Sequence, residues 1–200
     1  MKKVFQYLLF LFTMPLYAGA EPIELDQVIS YLNSIKTLGA DFRQVNHDGS
    51  ISKGVLFIKK PGRLRMAYAS PDTTVVIVND EFVTILDAKN SGSHQKLSIS
   101  NNPLRLLLSS EIELNTKDSI VDFNSKNLKT TIIVSDRKNK NLGTLEIIFN
   151  NKPLIFEQWL LTNSLNEKVV VNLSNILVGD AFQDTLFDPG FEFNKITNKP

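Results

Sequence analysis

Two histidines, His47 and His94, are the natural candidates for a base or a metal ligand in this chain. His47 opens the turn-prone run His47-Asp48-Gly49-Ser50 and His94 follows Gly92, so both read as solvated loop residues. The 200 residues include no cysteine, which excludes thiolate nucleophiles and cysteine-held metal. Two acidic pairs have a spacing that a general acid and base would use. Asp80-Glu81, however, lies between two strand-like runs and reads as a hairpin turn, while Glu111 and Glu113 flank Ile112 in alternation, as on a solvated strand face. No Gly-x-Ser-x-Gly elbow, phosphate-binding glycine loop or His-Glu-x-x-His helix occurs, so no enzymatic activity and no cofactor are expected.

Two other groupings point to binding. Lys59, Lys60, Arg63 and Arg65 cluster around Pro61-Gly62 and alternate with Leu56, Ile58, Leu64, Met66 and Tyr68. A cation at the rim of an apolar concavity can donate hydrogen bonds to the unsatisfied carbonyls of a helix closing over it. Further on, Leu104, Leu107 and Leu108 fall at helical spacing with Leu106 beside them, which suits either an ordinary core helix or a cavity lid.

The elements that must hold these groups follow from periodicity. From Ile23 to Leu38, the residues Leu25, Val28, Ile29, Leu32 and Ile35 recur on one helical face, predicting a long amphipathic helix. After Gly39 the pattern shortens to alternation, and strand-like runs recur at about 40–47, 51–60, 63–69, 73–79, 82–88, 94–100, 128–135, 143–150, 153–163 and 168–178. Asn102 is placed to cap a helix over Pro103–Ser110, and Asp180–Phe187 gives a weaker helical signal. The fold class is therefore mainly β with a helical lid (α+β): one strongly curved antiparallel sheet, covered by a long N-terminal helix and short helices. Order is expected to end at about residue 195.

The N-terminus reads as a secretory signal. Lys2 and Lys3 precede the apolar stretch Val4–Leu16, and Ala18-Gly19-Ala20 supplies small residues for cleavage near Ala20. That removes two of the 22 basic residues and no acid, leaving a single domain, residues 21–200, of net charge −1. This balance argues against nucleic acid as a partner.

The ordered stretches Ala40-Asp41-Phe42-Arg43-Gln44, Gly54-Val55-Leu56-Phe57-Ile58-Lys59-Lys60-Pro61-Gly62-Arg63-Leu64-Arg65, Tyr68-Ala69-Ser70-Pro71 and Pro103-Leu104-Arg105-Leu106-Leu107-Leu108 resemble the periplasmic outer-membrane lipoprotein carrier proteins, the LolA-like family. The likeness is strongest over residues 25–110 and thins to Phe187-Asp188-Pro189 near the end. It implies an incomplete β-barrel with a helical lid that encloses lipoprotein acyl chains. It also implies a soluble, monomeric chaperone in the periplasm of a Gram-negative bacterium, taking lipidated lipoproteins from an inner-membrane ATP-driven releasing complex to an outer-membrane acceptor. By position, Lys60 becomes the lid latch, with Arg63 or Arg65 as further contributors. Leu56, Ile58, Leu64, Met66 and Tyr68 become the sheet side of the acyl cavity, and Leu104, Leu106 and Leu107 its lid side. Familiar members carry arginine where this chain has Lys60, so a mobile point charge replaces a planar fork. A generic exported lipid- or glycolipid-binding protein is the alternative reading of the same cavity.

Overall fold

The computed structural model describes residues 22–87, 89, 94–100, 102–112, 120–135 and 143–198. The expected signal peptide and Glu113 lie outside these residues.

Helix α1 (Leu25–Ser34) begins where Gln27 Oε1 accepts the Glu24 amide at 2.9 Å, one arm of a capping box. It buries Val28, Ile29 and Leu32. The helix is ten residues long and does not extend to Leu38, contrary to the reading from spacing. Ile35 is already extended, and β1 (Thr37–Val45) takes Leu38 into a ladder between Ile58 and Val178. Leu38 is buried on the same core either way, so periodicity alone could not separate helix from strand there.

The remaining strands are β2 (Ile51–Lys59), β3 (Arg63–Tyr68), β4 (Thr74–Asn79), β5 (Phe82–Asp87), β6 (His94–Ser98), β7 (Ile120–Lys126), β8 (Lys129–Ser135), β9 (Thr144–Asn151), β10 (Leu154–Thr162) and β11 (Lys168–Val178). Among the described residues they form one antiparallel, curved, unclosed sheet of eleven strands, in the order β6-β5-β4-β3-β2-β1-β11-β10-β9-β8-β7. Ten of these runs are legible as alternation. The eleventh, β7, is not, because a register shift between Ile120 and Asp122 breaks its period. Only the β1–β11 contact joins strands distant in sequence. The edges β6 and β7 are consecutive in the chain, and the segment between them carries α2 (Leu104–Leu107).

Alternation gives the sheet two different faces. The inner face carries Leu56, Ile58, Leu64, Met66, Val78, Ile132, Val134, Leu145 and Ile147, packed against α1 and α2 in one core. Gly54 is required there: a Cβ on it would meet the Ala67 carbonyl oxygen at 2.1 Å. The outer face carries a smaller cluster of Val75, Ile77 and Leu86, covered by Phe193 and Ile196 of α3 (Pro189–Thr197). Asp188 caps α3, accepting from the amides of Gly190 and Phe191, and Pro189 stands in the first turn. Helix α3 thus carries the chain past Lys195, where order was expected to stop. The weaker helical signal over Asp180–Phe187 survives as a 3₁₀ turn, Asp184–Phe187.

Candidate functional site

The turn between β2 and β3 divides the basic cluster. Lys59 and Lys60 are neighbours in sequence and so point to opposite sides. Lys60 Nζ donates to the Leu32 carbonyl oxygen at 2.9 Å, in the last turn of α1, where carbonyls have no helical partner. Its own amide donates to the Lys36 carbonyl at 2.8 Å, and Gly62 N donates to the Leu108 carbonyl, also at 2.8 Å. One turn of the sheet therefore touches both inner helical segments. Burial first, and the Lys36 charge second, push the Lys60 ammonium down from 10.5 to about 8.

Arg63 and Arg65 do not join it. The ladder sets Arg63 opposite Lys59, and Arg65 opposite Phe57, on the outer face. There Arg63 Nη1 and Lys59 Nζ both bind Asp184 Oδ1, at 2.5 and 2.6 Å, and hold that carboxyl below the usual carboxylate range. Lys59 also donates to the Phe182 carbonyl at 2.9 Å. Arg65, 6% exposed, pairs with Glu192 of α3, 8% exposed, at 3.0 Å. The alignment of that contact leaves Arg65 Nη1 without a proper hydrogen bond. An expected contribution of either arginine to a lid latch is thus corrected by strand parity: they fasten the C-terminal segment instead.

Two further ties hold α1, and neither was apparent in the sequence. Asn33 grips Ile112 by both of its main-chain groups: Nδ2 donates to the Ile112 carbonyl at 3.1 Å and Oδ1 accepts the Ile112 amide at 2.8 Å. Tyr31 Oη accepts the Phe156 amide at 3.1 Å. At the far end, Ile23 N donates to Ser125 Oγ at 2.9 Å.

Between α1, α2 and the sheet lies a cavity of about 150 Å³. Ile29 and Leu32 of α1 line it, with Leu106 and Leu107 of α2 and Ile120, Ile132, Val134 and Ile147 of β7–β9. Ser109, Glu111 and Ile112 complete the wall. Of the residues expected to line a cavity, Leu106 and Leu107 do so. Ile58 and Lys60 border an adjoining crevice of about 10 Å³ with Leu107. Leu56, Leu64 and Met66 are buried in the packed part of the inner core, and Leu104 is half-buried against it. Tyr68 packs its ring edge-on to Phe42 and donates from Oη to Gln44 Oε1 at 2.8 Å; burial pushes its phenol up to about 12. The open space therefore lies toward β7–β9 rather than under β2–β3. Ile132, Val134 and Ile147 alternate in runs that read as strands, so their shared face was legible, though not the void beside it.

A larger groove of about 790 Å³ runs beside α3, β5 and β6 on the outer face. Asp80, Glu81, His94 and Lys96 line it together with Phe82, Leu86 and Phe193, so its wall mixes charged and apolar groups. Among the described residues no group of three His, Asp or Glu could hold a metal ion, and no helix is long and apolar enough to cross a membrane.

Residues 33–190 match the family described as outer membrane lipoprotein carrier protein LolA. An uncharacterized protein of Rickettsia prowazekii is 29% identical over 82% of this chain and 76% of its own length. An outer-membrane lipoprotein carrier protein of Legionella pneumophila is 26% identical over 78% of this chain and 79% of its own. A solved LolA superfamily protein from Nitrosomonas europaea superimposes with a TM-score of 0.45 at 9% identity, over 84% of this chain and 99% of that one.

Proposed function

The chain belongs to the family of LolA outer membrane lipoprotein carrier proteins, and on that premise we propose that it ferries lipoproteins by their acyl chains between the two membranes of a Gram-negative periplasm. It is exported by its N-terminal signal, with cleavage near Ala20. It travels as a soluble monomer, accepts cargo from an inner-membrane ATP-driven releasing complex and yields it to an outer-membrane acceptor. The family consists of carriers, and this protein performs no reaction of its own.

One observation carries the reading: an apolar inner cavity is roofed by α1 and α2, and α1 is tied down by side-chain to main-chain hydrogen bonds. Each methylene of an acyl chain is worth about 0.8 kcal/mol when taken out of water, so cargo with dozens of them needs an apolar container to cross an aqueous gap. The cavity as it stands is about 150 Å³, a volume that holds a guest of roughly benzene size. Acyl chains of a lipoprotein are far larger than that, so cargo enters by lifting the roof.

The ties then set the balance. When acyl chains enter, they replace the contacts that Val28, Ile29 and Leu32 make with the inner face, so the protein's own apolar contacts are exchanged rather than lost. The hydrogen bonds from Lys60 and Asn33 are lost outright, each worth roughly 0.5–1.5 kcal/mol net, or more where the donor is charged. They favour the empty form and lower apparent affinity, which allows release. Lys60 is the latch in this scheme, making one bond to one carbonyl where an arginine fork could reach two.

The test incubates the purified protein with spheroplasts and assays the soluble fraction. Lipidated lipoproteins appear there and their unlipidated forms do not; release of neither form would overturn the proposal.

A further inference from the structure

The inner cavity has one polar feature that the carrier reading does not use. Its described lining includes no lysine or arginine, and its polar side chains are Ser109 and Glu111. The Ser109 hydroxyl is turned back onto the Arg105 carbonyl at 3.2 Å. Glu111 is exposed at the cavity's margin, one residue before Ile112, which Asn33 holds by both main-chain groups. Its backbone is thus fixed beside the opening. The cation that borders the adjoining crevice, Lys60, is committed to the Leu32 carbonyl.

A container for lipid anions is usefully built the other way round, with a cation where the acyl chain meets its carboxylate or phosphate. Here the charged residue at the cavity's margin is a glutamate. It repels an anionic head and can accept a hydrogen bond from an amide N–H or a hydroxyl.

We infer that Glu111 is a specificity-determining residue of the acyl cavity, admitting chains whose polar head is uncharged and carries hydrogen-bond donors and discriminating against fatty-acid and phospholipid anions. This rests on the carrier reading and deepens it. A carrier working between phospholipid membranes must leave their anionic lipids in place. An acylated polypeptide, whose head is a neutral amide-bearing chain, passes the same filter.

The experiment seats N-phenylnaphthylamine, an uncharged fluorescent probe, in the cavity of the purified protein. It is then displaced with lauroyl ethanolamide, laurate or dodecyl phosphate, ligands of matched chain and different head. Each ligand's wild-type value is divided by its value in Glu111→Gln, which cancels differences in intrinsic partitioning. Laurate and dodecyl phosphate should gain at least about fivefold in Glu111→Gln, while lauroyl ethanolamide gains nothing or weakens. Raising the ionic strength should shrink the wild-type discrimination. Glu111→Lys should make the anions the preferred ligands. Equal ratios for all three ligands, with the probe seated, would overturn this inference and leave the carrier reading standing. Failure of the probe to bind either protein would overturn the cavity reading and this inference together.

Discussion

The two faces of the sheet are covered in different ways. On the inner face, α1 rests above a cavity and is fastened by Lys60, Asn33 and Tyr31 to main-chain groups. On the outer face, Phe193 and Ile196 of α3 pack directly on Val75, Ile77 and Leu86, and the fastening is by ion pairs, one of them buried. A buried pair with one partner removed leaves an uncompensated charge, so a cover held that way is costly to lift. A cover held by a few neutral acceptors over a partly empty space gives up much less. One cover is thus tied to main-chain groups above a cavity, the other by ion pairs over packed side chains. The boundary between them runs through two adjacent lysines, Lys59 and Lys60.

The largest effect that separates them is expected on the outer face. Glu192→Ala should lower the urea unfolding midpoint by the equivalent of about 3 kcal/mol and speed amide exchange along α3, while transfer of cargo to a membrane acceptor stays as in the wild type. A loss below about 1 kcal/mol, or a parallel defect in transfer, would erase the distinction between the covers.

Lys60→Leu should do the reverse. Removing the latch weakens the closed form, so lipoprotein stays on the carrier and transfer to the acceptor slows roughly tenfold, with little change in the unfolding midpoint. Unchanged transfer would sink the latch.

The smallest effect sharpens the same comparison through pH. With the roof closed, Lys60 has a pKa of about 8 against an ordinary 10.5, and Lys36 is the charged group acting on it. Below pH 8 both the closed form and an open form with Lys60 in water hold the proton, and the balance does not depend on pH. Between the two values the closed form binds fewer protons, so raising the pH favours closing. The affinity for N-phenylnaphthylamine should therefore fall several-fold from about pH 8 to about pH 10, and this slope should vanish in Lys60→Leu. A slope of the opposite sign, or one that survives the substitution, would show that another group governs it.

Much of this was legible in the residues, and what was not has physical causes. The alternation of Leu64, Met66 and Tyr68, or of Leu145, Ile147 and Phe149, identifies strands because a half-buried sheet repeats every second residue. Lys60 stood out because a cation beside apolar alternation needs an acceptor. The split between Lys60 and Arg63 or Arg65 was available from parity alone, since the hairpin sets Arg63 opposite Lys59. Helix α3 was not expected from spacing, although Asp188-Pro189 is a helix start. The position of the cavity toward β7–β9 was missed for a different reason: Ile132 and Val134 beside it are as apolar as Leu56 and Leu64 in the packed core, and composition does not distinguish a filled volume from an open one.

The join between α1 and β1 has a mechanical consequence. Only Ile35 and Lys36 separate the two elements, so a lifting α1 swings about that point like a lever. The Leu32 carbonyl, where Lys60 holds it, lies about 4.5 Å along the axis from this fulcrum, and Leu25, the first residue of α1, about 15 Å. A movement of about 1 Å at Leu32, enough to break the Lys60 bond, becomes about 3 Å at the start of the helix, enough to part the adjoining Ile23 from Ser125. A holding point so near the fulcrum converts a small local displacement into a wide opening at the tip.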